Sequence, residues 1–323
     1  MSTLVIGLGG VGTVAAYTLQ KKVEVTAIVR SGHEEVKANG FTIKSADYGE
    51  VQYKPTNLVK DLKGAEEFGP FDNIVVSTKV IPKDKNIWDD VKEHPNLFKK
   101  GTNVVLIQNG IEIDKYWSLP DVNLISGVSY ISSTKVGTTI NQVAPDEVSF
   151  GLFDGGDEEA LKEFVALYTN DVNKANIKID DNVRFTRLKK LLYNASYNTI
   201  GCLMNVDVGI IYTSPDLVNK IRDVMKEIQL VANKDLEAHN SDKKITDTDV
   251  ENMIKFTREI DVPVNYQPSM LVDFRNDREI EVEVILGNLI RLNKDDKIPL
   301  LEFIYDGLQV IQYTLTNKLR HKS

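Results

Sequence analysis

The stretch TLVIGLGGVG, residues 3–12, determines the expected fold of the N-terminal half of the chain. An apolar run ends abruptly in glycines, a segment of helical composition follows (Thr13–Lys22), and a second apolar run comes after it (Val23–Val29). A strand, a glycine turn, a helix and a strand within about thirty residues have the size of one βαβ unit. The sequence therefore predicts an N-terminal α/β domain with a parallel sheet.

The glycines of this turn are spaced as G-x-G-x-x-G, and between a strand and a helix this spacing is typical of a dinucleotide-binding site. Gly7 permits the tight turn, Gly9 lets a pyrophosphate approach the backbone, and Gly12 lets the helix pack closely on the strand. The N-terminus of the helix then offers N–H groups to the phosphates. We favour a Rossmann-type dinucleotide site over a merely flexible turn. The residues expected to form it are Gly7, Leu8, Gly9, Gly10, Val11 and Gly12.

The end of the second predicted strand indicates which dinucleotide binds. Sites that prefer NAD(H) carry an acidic residue about 20 residues beyond the glycines, which bonds the ribose hydroxyls. Here the strand ends in Val29-Arg30-Ser31, and Glu24 lies at its opposite end. A guanidinium can bind a 2′-phosphate with two hydrogen bonds and stack on adenine. We therefore expect Arg30 to bind this phosphate of NADP(H); the alternative is that Arg30 is a solvated loop residue.

The composition excludes several classes of protein. The 323 residues suffice for two domains at about 150 residues each. A net charge of −8 without clusters of Lys and Arg argues against binding to nucleic acid or to a membrane surface. No apolar run approaches the roughly 18 residues that span a bilayer, and no signal peptide is expected. The single cysteine, Cys202, cannot form an internal disulfide, which predicts a reducing compartment such as the cytoplasm. The histidines are scattered without the spacing of metal ligands, so that no metal site is expected.

Two further apolar runs, Asn73–Thr78 and Asn103–Gln108, predict buried parallel strands. Ligands of open α/β sheets bind outside the carboxyl ends of the strands. Lys79 and Asn109 come directly after these two ends, and both can form hydrogen bonds to a ligand. We therefore expect both residues at the cofactor site.

The rest of the N-terminal domain, expected to cover residues 1–181, is less regular. The pattern predicts a hairpin over residues 41–54 and antiparallel strands that close the sheet over residues 123–153. A helix over Glu158–Ala175 and a last strand over Asn176–Ile179 follow.

Residues 182–323 have helical periodicity throughout and predict an all-α domain. Three helix starts are marked by a capping residue or a proline, at Ser214, Pro268 and Pro299. The first of these helices is expected to end near His239.

A further helix is expected to run without interruption from Val183 to Asn205, with a polar stripe on one face. Lys190, Asn194 and Asn198 follow one another at steps of four residues and drift only about 40° per step. A lysine in line with two amides suits a small polar anion, whereas a solvated face is usually rich in Glu and Lys. On this pattern alone, a surface helix with ordinary polar residues remains an equal alternative.

Taken in order, these motifs resemble those of the ketopantoate reductase family, the NADPH-dependent 2-dehydropantoate 2-reductases. The similarity covers essentially the whole chain. Its elements are GLGGVG at 7–12, Arg30, STK at 77–79, QNG at 108–110, the K-x-x-x-N-x-x-x-N pattern at 190–198, SMLVDF at 269–274, Glu281, Leu286-Gly287 and Ile298-Pro299. The resemblance implies a Rossmann-type domain, an all-α domain similar to the C-terminal domain of 6-phosphogluconate dehydrogenase, and a substrate that lies in the cleft between them.

The resemblance also implies roles for individual residues. Lys190 would be the general acid that protonates the carbonyl oxygen, and Glu281 would bind a substrate hydroxyl and assist catalysis. Lys79 and Asn109 would lie at the junction of cofactor and substrate. The implied substrate contacts are Asn109, Asn194, Asn198 and Ser269. The implied reaction needs no metal.

Elementary chemistry agrees with these roles but leaves some positions open. Hydride arriving at a keto carbon places negative charge on oxygen, which an ammonium can stabilise and protonate. Lys189 adjoins Lys190, and only the spacing of the asparagines favours the latter. Glu279 and Glu283 flank Glu281, and only the distance from the SMLVDF motif selects it. Burial would lower the pKa of the lysine and a nearby carboxylate would raise it.

The sequence thus favours an NADPH-dependent reductase of a 2-keto acid, most readily ketopantoate. A D-2-hydroxyacid dehydrogenase of the same superfamily, acting on another bulky 2-keto acid, is the second hypothesis. A non-catalytic NADP(H)-binding regulator is the third. A homodimer is also expected.

Overall fold

The computed structural model describes residues 1–82, 86–117, 119, 121–153 and 155–320. The chain divides into two compact units. The first comprises Met1–Lys79, Lys83–Asn109 and Ile113–Val183, and the second comprises Val80–Pro82, Gly110–Glu112 and Arg184–Ser323. Two short segments of the N-terminal half therefore belong to the second unit. The functional domain boundary at residue 181 stays a prediction.

The first unit contains two β-sheets. Its strands are β1 (Ser2–Ile6), β2 (Glu24–Ile28), β3 (Phe41–Ser45), β4 (Gly49–Tyr53), β5 (Asn57–Val59), β6 (Phe71–Val76), β7 (Phe98–Leu106), β8 (Asn123–Ser129), β9 (Ser133–Val136), β10 (Thr139–Gln142), β11 (Val148–Leu152) and β12 (Ile177–Ile179). The main sheet has the order β12-β11-β8-β7-β6-β1-β2-β5, and the smaller sheet has the order β4-β3-β10-β9. In the main sheet every neighbouring pair is parallel except β8 with β11.

The helices of the first unit lie between these strands in the chain. They are α1 (Gly10–Gln20), α2 (His33–Asn39), α3 (Leu62–Ala65), α4 (Ile87–Lys92) and α5 (Glu158–Tyr168). All but α2 connect two strands of the main sheet. Helix α1 buries Val14, Ala15 and Leu19 in the core beside Val5 and Val25 of the first two strands. The run β5-β2-β1-β6-β7 has the strand order of a Rossmann-type sheet. The predicted α/β fold of this half is therefore confirmed.

Two predictions about the first unit were wrong in detail. The strands over residues 123–153 do not all close the main sheet, because β10 pairs with β3 in parallel and draws the β9–β10 hairpin into the smaller sheet. The last helix ends at Tyr168 instead of Ala175. The side chain of Asn173 accepts a hydrogen bond from the N–H of Asn170, which offers the backbone an alternative to continued helix.

From residue 183 onward the chain is helical. The α-helices are α6 (Val183–Asn194), α7 (Tyr197–Met204), α8 (Val208–Ile211), α9 (Pro215–Ala238), α10 (Asp247–Phe256), α11 (Ser269–Arg275), α12 (Asn288–Leu292) and α13 (Pro299–Arg320), with π-helical turns at Thr257–Asp261 and Glu283–Gly287. The three predicted helix starts are confirmed: Ser214 Oγ accepts a hydrogen bond from the N–H of Leu217, and two later helices begin at Ser269 and Pro299. The all-α prediction for this half is confirmed.

The single helix expected over Val183–Asn205 is instead broken into two. Helix α6 ends at Asn194, and α7 begins at Tyr197 after Ser196 leaves the helical conformation with φ −122° and ψ −84°. The fully buried Ser196 hydroxyl donates to the carbonyl of Leu192. A serine that bonds back to the preceding turn bends a helix. The predicted polar stripe is therefore not continuous, because Asn198 lies on the second of the two helices.

Candidate active site

The glycine turn of the first unit is shaped by its protein neighbours at two of its three motif positions. Gly7 has a φ of +101°, and a Cβ there would lie 2.6 Å from the backbone nitrogen of Thr78. A Cβ on Gly12 would overlap the carbonyl oxygen of Gly7 and the hydroxyl of Ser77. A Cβ on Gly9 would have no described protein atom within 4 Å. The turn therefore leaves its surface open at Gly9, where a pyrophosphate is expected to approach.

Strand β9 lies against the same turn. A Cβ on Gly10 would overlap the backbone of Ser133, and the ammonium of Lys135 donates to the carbonyl oxygen of Leu8 at 3.0 Å. Burial lowers the pKa of Lys135, and the charge of Glu35 opposes this effect. The sequence analysis missed these neighbours, because they lie more than a hundred residues beyond the turn. Val11, also predicted in this site, is half-buried and packs against the core.

Arg30 follows the carboxyl end of β2 and is exposed, with no hydrogen bond or ion pair to any residue that the structure describes. Three other ionisable side chains lie at this edge of the sheet. The ammonium of Lys60, directly after β5, lies 2.9 Å from Glu34 Oε1, and the ring nitrogen Nδ1 of His33 lies 3.2 Å from the same oxygen. The sequence analysis identified Arg30 and overlooked this cluster.

Lys79 and Asn109 follow β6 and β7, which are parallel neighbours of β1 in the main sheet. Both residues therefore lie at the edge of the sheet where the glycine turn leaves β1. The side-chain amide of Gln108 donates to the carbonyl of Thr78 at 2.7 Å and ties the two strand ends together. Lys79 is exposed and Asn109 is half-buried.

In the second unit, Lys190 is a half-buried basic side chain on α6. Burial, together with the positive charge of Arg187, lowers the pKa of Lys190 to about 8, while the charge of Glu281 raises it. The neighbouring Lys189 lies on another side of α6 and pairs with Asp249 at 2.7 Å. The two lysines between which the sequence left the choice open therefore differ: Lys189 forms an ion pair with Asp249, whereas the pKa of Lys190 is lowered.

The three glutamates between α11 and α12 also differ in their partners. Glu281 is buried, and its Oε1 accepts a hydrogen bond from the N–H of Val80 at 3.0 Å, within the second unit. Glu283 is paired with Arg291 at 2.9 Å, and Glu279 accepts hydrogen bonds from α13. Of the three, Glu281 is the carboxylate whose charge acts on Lys190.

The two predicted asparagines differ in the hydrogen bonds of their side chains. Asn198 joins α7 to the start of α11, because its Oδ1 accepts from the N–H of Met270 at 2.8 Å and its Nδ2 donates to Ser269 Oγ at 3.3 Å. Asn194 lies one turn beyond Lys190 on α6 and is only 9% exposed, yet its side-chain amide forms no hydrogen bond with the described residues. Its amide is therefore available to a ligand.

Arg187 is a residue that sequence reasoning missed. It is only 3% exposed, lies one turn before Lys190 on α6, and donates from Nη1 to the carbonyl oxygen of Gly110 at 2.9 Å. Gly110 has a φ of +94°, and a Cβ there would overlap the backbone of Val284. A second arginine, Arg184, pairs with Glu112 at 2.7 Å. The one sequence signal that marks Arg187 is its position three residues before Lys190.

Together these observations give each unit a distinct chemical capacity. The first unit has an open glycine turn and exposed cations at the same sheet edge, as a phosphorylated dinucleotide requires. The second has a desolvated ammonium that can give up a proton near neutral pH. Among the described residues, no group of His, Cys, Asp and Glu is placed to hold a metal ion, and no helix is both long and apolar enough to cross a membrane.

Comparison with known proteins gives the family. Residues 3–155 match the model "Ketopantoate reductase PanE/ApbA", and residues 182–312 match its C-terminal counterpart. An uncharacterized protein of Saccharomyces cerevisiae, YDL144C, is 33% identical over 350 aligned residues, with 98% of this chain and 94% of the relative covered.

Solved structures agree with that match. The crystal structure of 2-dehydropantoate 2-reductase from Methylococcus capsulatus has a TM-score of 0.80 at 28% identity, with 98% of both chains covered. A ternary structure of D-mandelate dehydrogenase with NADH and anilino(oxo)acetate shares the fold, with a TM-score of 0.78 at 18% identity over 98% of this chain and all of that chain. The chain therefore belongs to the ketopantoate reductase family, a family of oxidoreductases that act on CH–OH groups.

Proposed function

We propose that the protein is an NADP(H)-dependent reductase that converts 2-dehydropantoate (ketopantoate) to (R)-pantoate, on the route to pantothenate and coenzyme A. Membership of the family supports the reaction class. The observation that carries the proposal is the desolvated ammonium of Lys190, with its pKa of about 8, beside the charge of Glu281. An amine in this state is suited to protonate an oxygen on which negative charge develops.

The first unit would hold the cofactor. The open surface at Gly9 and the N-terminus of α1 support binding of the pyrophosphate, and the exposed Arg30 supports a 2′-phosphate. Lys79 and Asn109, at the same edge of the sheet, would contact the nicotinamide half. When bound, the reduced nicotinamide supplies the hydride.

The second unit would hold and protonate the substrate. Lys190 stabilises the developing alkoxide and transfers its proton to that oxygen, which leaves a neutral amine to be recharged from solvent. Because burial and Arg187 weaken its hold on the proton, Lys190 is a stronger acid than a lysine in water. Glu281, which opposes this shift, would bind a hydroxyl of the substrate.

Two asparagines and a serine of this unit would form the remaining contacts with the substrate. Asn194, buried and without a described partner, would bind the substrate directly. Asn198 and Ser269 are joined by a hydrogen bond, so that they would present one fixed polar pair to the carboxylate or hydroxyl of the substrate. This pairing favours an acid that bears a further polar group.

The direct test is oxidation of NADPH, followed by its absorbance, with ketopantoate and a panel of other 2-keto acids. We expect the highest kcat/KM with ketopantoate. The fold shared with D-mandelate dehydrogenase favours a D-2-hydroxyacid dehydrogenase as the second candidate. No rate with ketopantoate and a good rate with phenylglyoxylate would replace the first proposal by the second. Cofactor binding without turnover of any acid would instead indicate a regulator.

A cytoplasmic location and a homodimer complete the proposal. Phe303, Val310 and Tyr313 leave apolar side chains exposed along α13, which supports self-association. Light scattering after gel filtration tests the dimer, and imaging of the tagged protein tests the location.

A further inference from the structure

The carboxyl ends of β2 and β5 place two cations side by side. The two strands are parallel neighbours, with Ile28 opposite Val59, and the N–H of Val29 donates to the carbonyl of Val59 at 2.9 Å. Arg30 and Lys60 are the residues that leave this paired segment. Because neighbouring strands lie about 4.8 Å apart, both side chains start from the same small patch of the sheet edge.

We propose that Lys60 is a second residue that recognises the 2′-phosphate of the dinucleotide, and that Glu34 is the counterion that it leaves when this phosphate binds. The inference rests on the proposed NADP(H) dependence and extends it, since Arg30 is the residue to which that proposal assigns the phosphate.

The contacts of Lys60 make it available to such a ligand. Its ammonium lies 2.9 Å from Glu34 Oε1, but the two side chains are 63% and 73% exposed. Ion pairs between exposed side chains contribute little to stability, because water and salt screen them. A phosphate carries up to two negative charges and three acceptor oxygens, so that it is a better partner for an ammonium than one solvated carboxylate.

Two cations at this edge, Arg30 and Lys60, favour a phosphate over bare ribose hydroxyls. Two of the acidic neighbours have partners, because Glu34 pairs with Lys60 and the side chain of Asp61 accepts a backbone hydrogen bond as the N-cap of α3. The hydrogen bond from Lys60, followed by that of His33, holds the pKa of Glu34 below its usual value, so that its carboxylate is ionised at neutral pH. Without Lys60 this carboxylate would repel a 2′-phosphate.

The test is calorimetric titration of NADP⁺ and NAD⁺ into the full-length protein and its variants. Lys60→Met is expected to raise the Kd of NADP⁺ about tenfold and to change that of NAD⁺ by less than about twofold, since only NADP⁺ carries the phosphate. Lys63→Met is the matched control. Lys63 is an exposed lysine on α3 without an ion pair to the described residues, and we expect it to change neither Kd.

Glu34→Gln separates the two roles that this carboxylate could have. If Glu34 only competes for Lys60, its removal tightens NADP⁺ binding or leaves it unchanged and does not affect NAD⁺. The double variant Lys60→Met/Glu34→Gln should then bind NADP⁺ more tightly than Lys60→Met alone. In the single variant the Glu34 carboxylate has lost the ammonium of Lys60 and repels the 2′-phosphate, whereas the double variant lacks this negative charge. Weaker NAD⁺ binding by Glu34→Gln would overturn the inference, since it would make Glu34 a ligand of the ribose.

Failure of this inference can be told apart from failure of the proposed function. If Arg30→Met weakens NADP⁺ binding while Lys60→Met does not, the NADP(H) proposal stands and the role of Lys60 is rejected. If the wild-type protein binds NAD⁺ as tightly as NADP⁺, recognition of the 2′-phosphate is rejected, and the inference falls with it.

Discussion

Arg30 of the first unit and Lys190 of the second unit carry positive charge in opposite settings. Arg30 is exposed and forms no hydrogen bond or ion pair with the described residues, whereas Lys190 is half-buried and burial lowers its pKa to about 8. A guanidinium in solvent stays charged and suits recognition of a permanent anion. A desolvated ammonium holds its proton less firmly and suits proton transfer. The setting of each cation, more than its charge, indicates its role.

The largest effect is expected from removal of Lys190, the proposed proton donor. Lys190→Ala should lower kcat by about 10²-fold or more, because general acid catalysis typically contributes that much. Lys189→Ala is the matched control, since Lys189 pairs with Asp249 instead, and it should retain most of the activity. Steady-state rates of NADPH oxidation measure both. An unchanged kcat in the first variant would assign the acid to another residue.

Loss of the exposed cation should affect cofactor binding and leave the chemical step intact. Arg30→Ala is expected to raise the KM for NADPH about tenfold, with less effect on the KM for NADH, because it removes a charge-assisted contact to the 2′-phosphate. Arg30→Lys keeps the charge and loses the paired hydrogen bonds, so that it should fall between wild type and Arg30→Ala. Equal changes for both cofactors would contradict the assignment.

A smaller effect should follow from changing Arg187, the charged neighbour that adds to the effect of burial on the pKa of Lys190. Arg187→Met removes a positive charge one turn away, so the pKa of Lys190 should rise, and the decline of the reduction rate at alkaline pH should move to higher pH. Arg187→Lys keeps the charge and should leave the profile near that of the wild type. A role of Arg187 in structure alone would lower the melting temperature without moving the profile.

The smallest effect should come from a residue that touches neither cation. Ser214 caps α9 through a hydrogen bond to the N–H of Leu217. Ser214→Ala should cost about 1 kcal/mol in the free energy of unfolding, as lost N-caps do, and leave both KM and kcat unchanged. Chemical denaturation measures the loss. If this variant also changed the cofactor preference or the pH profile, the assignment of those properties to Arg30 and Lys190 would weaken.

The features that the sequence predicted well depend on neighbours along the chain. The glycine turn with the parallel strands beside it, and the helix starts at Ser214 and Pro299, follow from local geometry and hydrophobic pattern. The break between α6 and α7 was not predicted, because periodicity continues through Ser196 and only its bond to Leu192 reveals the bend.

Features formed by distant residues could not be predicted in this way. The contact of Lys135 with Leu8 depends on a strand that pairs in the smaller sheet, which no local pattern indicates. The shift in the pKa of Lys190 requires its burial and its distance from charged neighbours, which spacing along the sequence does not give. The sequence therefore indicates candidate residues by type and spacing, whereas their electrostatic state requires the structure.

The pH dependence of the reaction in both directions tests the central claim most directly. If Lys190 is the acid, the rate of keto acid reduction by NADPH should fall as the pH rises through about 8, because the amine loses the proton it must donate. Oxidation of the 2-hydroxy acid by NADP⁺ should rise through the same pH, since the neutral amine must then accept a proton. Profiles that stay flat through this range in both directions would contradict the account.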